Sequence, residues 1–253
     1  MTHAYREFEF DLPAALLARL VEILDGMESA PLNEMGLDGV PDAQGVYQLF
    51  YEDKLVYIGK TDSEAGLYRR LERHSRKIRH RVALQPSRVT YKAVRIFVFT
   101  AIDLETQLIA HYANKGGSPW NNSGFGANDP GRKRDHTKIK ATNFDALFPI
   151  DIDRDLDLVF ADCETVAQAL IRLKPAVPYN LRFENDGQSP RRPHPDLVQT
   201  PIDLGGARST RDILTAAAKA LGPEWQATVL RSHLLLYREN DTTYPDAEIL
   251  GRH

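Results

Sequence analysis

Two short β-rich runs separated by two acidic residues constrain the fold of this sequence more than any other feature. The runs GVYQLFY and KLVYIGK flank Glu52 and Asp53. Both runs are rich in β-branched and aromatic residues, and a two-residue connection is typical of a tight turn between neighbouring antiparallel strands. The sequence therefore predicts a β-hairpin over these two runs.

Helical and strand patterns alternate after the hairpin. Residues 66–81 form a basic helical segment, residues 88–100 (RVTYKAVRIFVFT) favour a strand, and residues from about 103 to 114 favour a second helix. The predicted order is β-β-α-β-α, which indicates an α+β core with a three-stranded antiparallel sheet flanked by helices. A polar, glycine-rich loop (GGSPWNNSGFGANDPGRKRDHT) follows, and its length is typical of a functional or mobile segment.

Further segments lie on both sides of this core. Residues 13–27 place leucines and a valine at helical spacing, which predicts an amphipathic helix. The last part of the chain contains a helical pattern over residues 163–174, a proline-rich loop over 186–201, and a final helix and strand within 210–237. We therefore divide the chain into an N-terminal helix and connector (1–39), a core (40–137) and C-terminal additions packed on the core (138–253).

Composition narrows the class of protein. A chain of 253 residues with 42% hydrophobic content suits a globular fold, and the net charge of −3 means that a nucleic-acid site must come from local clustering. The single cysteine, Cys163, excludes an intrachain disulfide and fits the reducing cytosol. The acidic N-terminus does not resemble a secretion signal, and no stretch approaches the ~20 apolar residues of a membrane span. We expect a cytoplasmic protein without a membrane partner.

Three polar residues of the core occupy positions that favour chemistry. Arg70 and His74 stand four residues apart in LYRRLERH, so they share one helix face, together with apolar residues that should pack on the sheet. A charged pair beside an apolar stripe needs polar partners, and a phosphate or tyrosine hydroxyls would serve. Glu105 lies in the first turn of the second predicted helix, where the helix dipole by itself also favours a carboxylate.

These residues follow the order of a known nuclease superfamily. GVY and VYIG, with Tyr57 ten residues after Tyr47, resemble the paired strand motifs that name the GIY-YIG nucleases. The basic helix, Glu105 and the sequence PWNN come next in the order of that family. GFGANDPGRKRDHT, FPIDIDRDLD and VPYNLRFEN also resemble segments of the GIY-YIG type II restriction endonucleases that recognise CCGCGG. The similarity runs from the N-terminal helix to about Glu184.

The resemblance implies a magnesium-dependent enzyme that cuts double-stranded DNA at a short palindrome, with Mn²⁺ as an expected substitute for Mg²⁺. Within the family pattern, Glu105 holds the metal and Asn121 closes the site, with Asn122 as its nearby rival. A repair nuclease of the same superfamily and a non-catalytic DNA-binding module are the competing interpretations.

Hydrolysis of a phosphodiester requires an activated water and neutralisation of charge on the phosphate. Tyr47 is the candidate for deprotonating or orienting the water, and its phenol needs nearby cations, Lys60 and Arg70, to lower its pKa. Arg70 should also grip the scissile phosphate. Tyr57 and His74 are expected to orient these groups or to relay a proton. The identity of the base is open.

Basic residues cluster in two places. Residues 60–81 contain eight Lys or Arg against three acids, a local charge of +5 in a chain whose remainder carries −8. Such clustering is typical of contacts with a phosphate backbone, and a solvated basic helix is the alternative. The expected DNA contacts are four residues of the helix and three of the glycine-rich loop: Arg69, Arg73, Arg76, Lys77, Arg132, Lys133 and Arg134.

The chain offers one set of site residues, although a double-strand break needs two hydrolyses on antiparallel strands. A palindromic site has a two-fold axis, so we expect a homodimer with the same symmetry. The resemblance to restriction enzymes also implies a cognate DNA methyltransferase that acts on the same sequence, without requiring contact between the two proteins.

Overall fold

The computed structural model describes residues 4–61, 65–97, 103–126, 131–132, 135–160, 162–189 and 191–251. The described chain is an α+β protein, as the sequence predicts. It divides into two compact units, of which the first contains Met1–Ser75 and Gln85–Asn121 and the second contains Arg76–Leu84 and Asn122–His253. In the described ranges, no helix combines the length and the apolar character that crossing a membrane requires.

The first unit opens with helix α1 (Leu12–Gly26). The Asp11 carboxylate accepts a hydrogen bond from the backbone N–H of Ala14 at 2.9 Å, and Pro13 stands in the first turn, where its missing N–H is harmless. Leu20 and Leu24 are buried. The predicted amphipathic helix is confirmed, with each end one residue earlier.

The sheet of the first unit contains the predicted hairpin. Its strands within the described residues are β1 (Ala30–Pro31), β2 (Gly45–Tyr51), β3 (Lys54–Lys60) and β4 (Val89–Arg95), arranged antiparallel in the order β1-β4-β2-β3. Glu52 and Asp53 have φ of 51° and 61°. Positive φ at both positions matches the twist of the flanking strands and makes the two-residue turn possible.

Two expectations for this sheet are corrected. The sheet has a fourth strand in the described region, because Ala30–Pro31 pairs with the outer edge of β4. Proline is tolerated there since an edge strand can lack a ladder N–H, but a two-residue strand in a proline-rich connector has no sequence pattern to reveal it. Strand β4 ends at Arg95 rather than continuing to residue 100. Residues 98–100 of the predicted strand lie outside the described ranges.

Helices cover both faces of this sheet. Alternate side chains of a strand point to opposite faces, and Val46 and Ile58 pack in one cluster with Leu24 of α1 and Leu108 of helix α3 (Leu104–Ala113). Tyr47 of β2 and Tyr57 of β3 occupy the other positions of the alternation. There they meet helix α2 (Leu67–Arg79), whose Leu67, Leu71 and Ile78 are at most 1% exposed. The observed element order β2-β3-α2-β4-α3 matches the predicted order.

The second unit has its own sheet and core. Its helices are α4 (Phe144–Leu147), α5 (Val166–Ala176), α6 (Pro195–Gln199) and α7 (Thr210–Leu221), and its strands are β5 (Asn180–Phe183), β6 (Gln226–Val229), β7 (His233–Tyr237) and β8 (Glu248–Leu250). Within the described residues the strand order is β5-β7-β6-β8, in which β5 and β7 are parallel and the other pairs are antiparallel.

The sequence analysis anticipates α5 and α7 but not this sheet. Strand β7 (HLLLY) is entirely buried and carries no alternation of polar and apolar residues, and β6 (QATV) alternates over only four residues, which is a short signal. The single strand that we expected near residue 237 is therefore a pair of antiparallel strands. Leu170, Ile213 and Leu234 contribute to a large apolar core in this unit.

Candidate active site

Two tyrosines lie side by side on the face of the sheet that α2 covers. In the hairpin register, Tyr47 pairs with Gly59 and Leu49 pairs with Tyr57, so the two tyrosines are diagonal neighbours with ring centroids 6.2 Å apart. A Cβ atom on residue 59 would lie 2.5 Å from the Tyr47 hydroxyl. Glycine at this position therefore lets the Tyr47 ring lie across β3. The VYIG pattern contains Gly59, but local spacing alone does not predict this role.

Helix α2 brings His74 against this pair. His74 Nε2 and the Tyr47 hydroxyl lie 2.8 Å apart in a hydrogen bond, and both residues are buried. The imidazole centroid is 5.5 Å from the ring of Tyr47 and 5.4 Å from that of Tyr57. Arg70 stands one turn earlier on α2, and its charge acts on both tyrosines. The predicted apposition of Arg70 and His74 with the tyrosines is present.

The phenol of Tyr47 is harder to ionise than the sequence analysis expects. Burial raises its pKa well above 10, and the charges of Tyr57 and Glu105 act in the same direction, whereas Arg70 opposes them. Burial likewise raises the pKa of Tyr57. Arg70 lowers the pKa of Tyr47, as expected, but desolvation of the phenolate outweighs this positive charge, so the net pKa is raised rather than depressed.

Glu105 lies at the beginning of α3, near the end of β3. Its carboxylate is 3.9 Å from the Lys60 amine, and its side chain is 25% exposed. Burial raises the pKa of Glu105, while Lys60 lowers it and Asp103 raises it. The interactions of Glu105 with Arg70 and with both tyrosines place it in the same cluster.

Asp103 is a neighbour that the sequence analysis does not single out. It caps α3 by accepting hydrogen bonds from the Thr106 backbone and hydroxyl, and it holds the Lys60 amine at 3.0 Å. The hydrogen bond from Thr106 and that from Lys60 lower the pKa of Asp103 to about 2. An aspartate directly before a helix start is a recognisable capping signal. Its consequence is that Lys60 is anchored beside Glu105.

The carboxylates of this cluster restrict the metal that could bind. Among the described residues, no group of three or more His, Cys, Asp or Glu side chains could hold a metal ion. A zinc or calcium cage needs such a set, whereas Mg²⁺ keeps several waters and binds through one or two carboxylates together with substrate phosphates. The half-buried oxygen donors of Glu105 therefore fit a largely hydrated Mg²⁺.

Asn121 is bound to the backbone of β3. Its side-chain oxygen accepts a hydrogen bond from the N–H of Ile58 at 2.9 Å, and its amide nitrogen donates to the carbonyl of Ile58 at 2.8 Å. Both polar atoms thus satisfy the exposed edge of β3 at the residue between Tyr57 and Gly59. The rival Asn122 is exposed, with φ of 58°. Asn121 therefore acts on the site through the position of β3.

The predicted DNA contacts on α2 differ in their environment. Arg69 pairs with Asp42 at 2.7 Å while its side chain is 66% exposed, and Arg73 is exposed. Arg76 donates to the carbonyl of Ala176 at 3.3 Å. Lys77 donates to the carbonyl of Phe125, and burial lowers its pKa to about 8. Arg69 and Arg73 are accessible to a phosphate backbone, whereas the other two cations are turned to carbonyl groups.

The remaining predicted contacts belong to the glycine-rich loop. The Arg132 guanidinium lies 3.4 Å from the Glu184 carboxylate and 4.2 Å from the centroid of the Tyr237 ring. Its side chain is still 61% exposed. Lys133 and Arg134 lie outside the described residues.

Comparison with known proteins adds no family to this geometry. A scan of the sequence against protein-family models gave no match, and a comparison with curated proteins gave no match either. The structural basis for a function is therefore the cluster of Tyr47, Tyr57, Arg70, His74 and Glu105.

Proposed function

We propose that the protein is a magnesium-dependent endonuclease with a GIY-YIG core that cuts double-stranded DNA at a short GC-rich palindrome. One observation carries the proposal: two tyrosines, an arginine, a histidine and a glutamate from four separate elements meet in a single cluster. These residue types supply a proton relay, a phosphate ligand and a metal ligand. The order of the elements that bear them supports the core assignment.

Tyr47 and His74 handle the proton of the attacking water. With its pKa raised by burial, Tyr47 is a neutral phenol at physiological pH and cannot act as a preformed phenolate. Its hydroxyl can accept the water's proton while donating its own to His74 Nε2, 2.8 Å away. This relay leaves the proton, and with it a positive charge, on the His74 imidazole, a side chain that commonly acts as a general base. His74 is therefore the terminal base, and Tyr47 is the group that touches the water.

Arg70 binds the scissile phosphate. A planar guanidinium can donate two parallel hydrogen bonds to phosphate oxygens, and these strengthen as negative charge accumulates in the transition state. Its position one turn before His74 sets the phosphate next to the relay. Tyr57 contacts the His74 ring and orients it.

Glu105 would hold the Mg²⁺ ion. When bound, the metal neutralises charge on the phosphate and assists the departing 3′ oxygen. The Lys60 amine, anchored by Asp103 at 3.0 Å, adds positive charge on the same side. Arg70, Lys60 and the bound metal would thus supply positive charge around the phosphate, and Glu105 would supply the carboxylate that binds the metal.

The narrower assignment to type II restriction enzymes of CCGCGG specificity rests on the sequence resemblance. It implies a homodimer that places one cluster on each strand, and a methyltransferase that protects the same DNA sequence. Discrete fragments from plasmid DNA incubated with Mg²⁺, with identical sequences at all ends, would support it. Nicks confined to flaps or damaged sites would favour a repair nuclease.

Variants separate catalysis from binding. Glu105→Ala and Arg70→Ala should abolish cleavage, while DNA binding measured by gel shift largely survives because other cations supply most of the affinity. Glu34→Ala, an exposed carboxylate in a loop of the same unit, is the matched control and should cleave normally. Cleavage at the wild-type rate by Glu105→Ala would refute the metal assignment, and DNA binding without cleavage by the wild type would favour a non-catalytic module.

A further inference from the structure

The second unit contains a cavity that the proposed chemistry does not use. Its volume is about 490 Å³, which lies in the range of small-molecule sites. Its walls come from the segment around Lys77 and Arg81, from residues 135–145, from β5 and from the turn before β7.

The charges on the walls are unbalanced. Among the described lining residues, four cationic side chains face three carboxylates. One of these carboxylates, Asp135, is 1% exposed and already held by Arg182 at 2.7 Å and by His233 at 2.9 Å. Asp135 therefore contributes little negative charge to the cavity.

A second carboxylate is paired with one buried cation, and a second cation lies near that pair. Asp145 pairs with Arg81 at 2.7 Å, and their side chains are 14% and 3% exposed. The amine of Lys77 has only backbone carbonyls within hydrogen-bond distance among the described residues, those of Gly124 and Phe125. Burial and the charge of Arg81 lower the pKa of Lys77 to about 8, and Asp145 only partly offsets them. At neutral pH, Lys77, Arg81 and Asp145 together carry a net positive charge in a poorly solvated part of the wall. A bound anion would stabilise this charge.

The other wall residues add both charge and hydrogen-bonding groups. Arg231 and Lys138 line the cavity, and Arg231 makes a long hydrogen bond of 3.4 Å to the carbonyl of Ala146. Asn143, Asn180 and Ser232 supply neutral donors and acceptors. The volume is larger than a lone phosphate needs, and amide and hydroxyl groups suit the edge of a nucleobase.

We infer that this cavity binds a phosphate-bearing ligand of mononucleotide size, with the anionic group held by Lys77 and Arg231. The ligand can be a free nucleotide or a nucleotide of a DNA chain, since both present the same chemistry. No residue that lines the cavity belongs to the Tyr47 cluster, so occupancy of the cavity can be measured without any DNA cleavage.

Calorimetric titration of the full chain at neutral pH tests the inference, with deoxyguanosine monophosphate and a short DNA duplex as probes. The expected result is saturable binding with a dissociation constant below about 1 mM. Lys77→Met should weaken that binding about tenfold or more, because a charge-assisted hydrogen bond is lost. Lys219→Met, an exposed lysine on α7 that does not line the cavity, is the control and should bind as the wild type does.

Arg231→Gln is a second variant. The Arg231 side chain is only partly buried, so its replacement should leave the fold intact even if Lys77→Met does not fold. It should also weaken binding about tenfold. Binding of the free nucleotide assigns a small-molecule site, whereas binding of the duplex alone, with the same sensitivity to both variants, assigns a DNA phosphate. Absence of saturable binding by either probe, or equal binding by the wild type and both variants, would overturn the inference.

Discussion

Replacing Tyr47 with phenylalanine removes one oxygen atom from a side chain that is 1% exposed. The ring keeps its contacts with Gly59 and Tyr57, so packing is conserved, and the hydrogen bonds of the hydroxyl to His74 and to Tyr57 are lost. A neutral hydrogen bond contributes about 1 kcal/mol, and a partner left buried without one costs about 1–3 kcal/mol. We therefore expect Tyr47→Phe to reduce the free energy of unfolding by about 1–3 kcal/mol.

The effect on catalysis should be larger than the effect on stability. A positioned proton-transfer group contributes about 10²- to 10⁴-fold in rate, which corresponds to roughly 3–5 kcal/mol of activation free energy. Single-turnover cleavage of plasmid DNA with saturating Mg²⁺ measures the rate, and urea denaturation measures the stability. Cleavage rates of the wild type and the variant are compared under conditions in which both proteins are folded, well below the unfolding midpoint of each.

Tyr91→Phe is the matched control. Tyr91 is a buried tyrosine of β4 whose hydroxyl donates to the carbonyl of Gly36 at 2.6 Å, outside the cluster. Its loss should reduce stability by a similar amount and leave the cleavage rate within about threefold, less than 1 kcal/mol of activation free energy. Wild-type cleavage by Tyr47→Phe, or an equal loss of rate in Tyr91→Phe, would refute the relay through Tyr47 and His74.

Four further predictions follow from the same geometry. Gly59→Ala would place a Cβ 2.5 Å from the Tyr47 hydroxyl, so it should destabilise the protein by about 1–3 kcal/mol and impair cleavage, as urea denaturation and plasmid assays can check. Because the pKa of Glu105 is raised, protons compete with Mg²⁺ for its carboxylate at a higher pH than for an ordinary glutamate. The Mg²⁺ concentration for half-maximal cleavage should therefore rise as the pH falls, and a concentration that does not change with pH would contradict the metal role. The pKa of Lys77 is lowered from 10.5 to about 8, so between these pH values the unfolded chain holds a proton that the folded protein has released. The free energy of unfolding should therefore increase with pH over this range, by up to about 3 kcal/mol. Urea denaturation at several pH values should show this increase in the wild type and not in Lys77→Met. Arg73→Ala should weaken DNA binding and reduce the slope of log K against log salt by about one, whereas a slope identical to wild type would remove Arg73 from the interface.

The sequence alone determined the elements whose signals are local. The hairpin follows from two β-rich runs around a two-residue turn, and helices α1 and α3 begin at aspartates that cap the next turn. The four-residue spacing of Arg70 and His74 sets them on one face of α2, because a helix repeats every 3.6 residues. The positions of these residues on regular elements could be predicted from local patterns, whereas the roles of the cluster came from the resemblance to the nuclease family.

Only the tertiary structure decided how those side chains behave. Tyr47 and His74 are 27 residues apart, and Asn121 and Ile58 are 63 residues apart, so these hydrogen bonds have no local pattern. Burial by distant segments raises the pKa of Tyr47 and lowers that of Lys77, which moves the base role toward His74 and turns a predicted surface cation into the wall of a cavity. Desolvation depends on everything that packs around a group, and for that reason charge and spacing along the chain could not predict it.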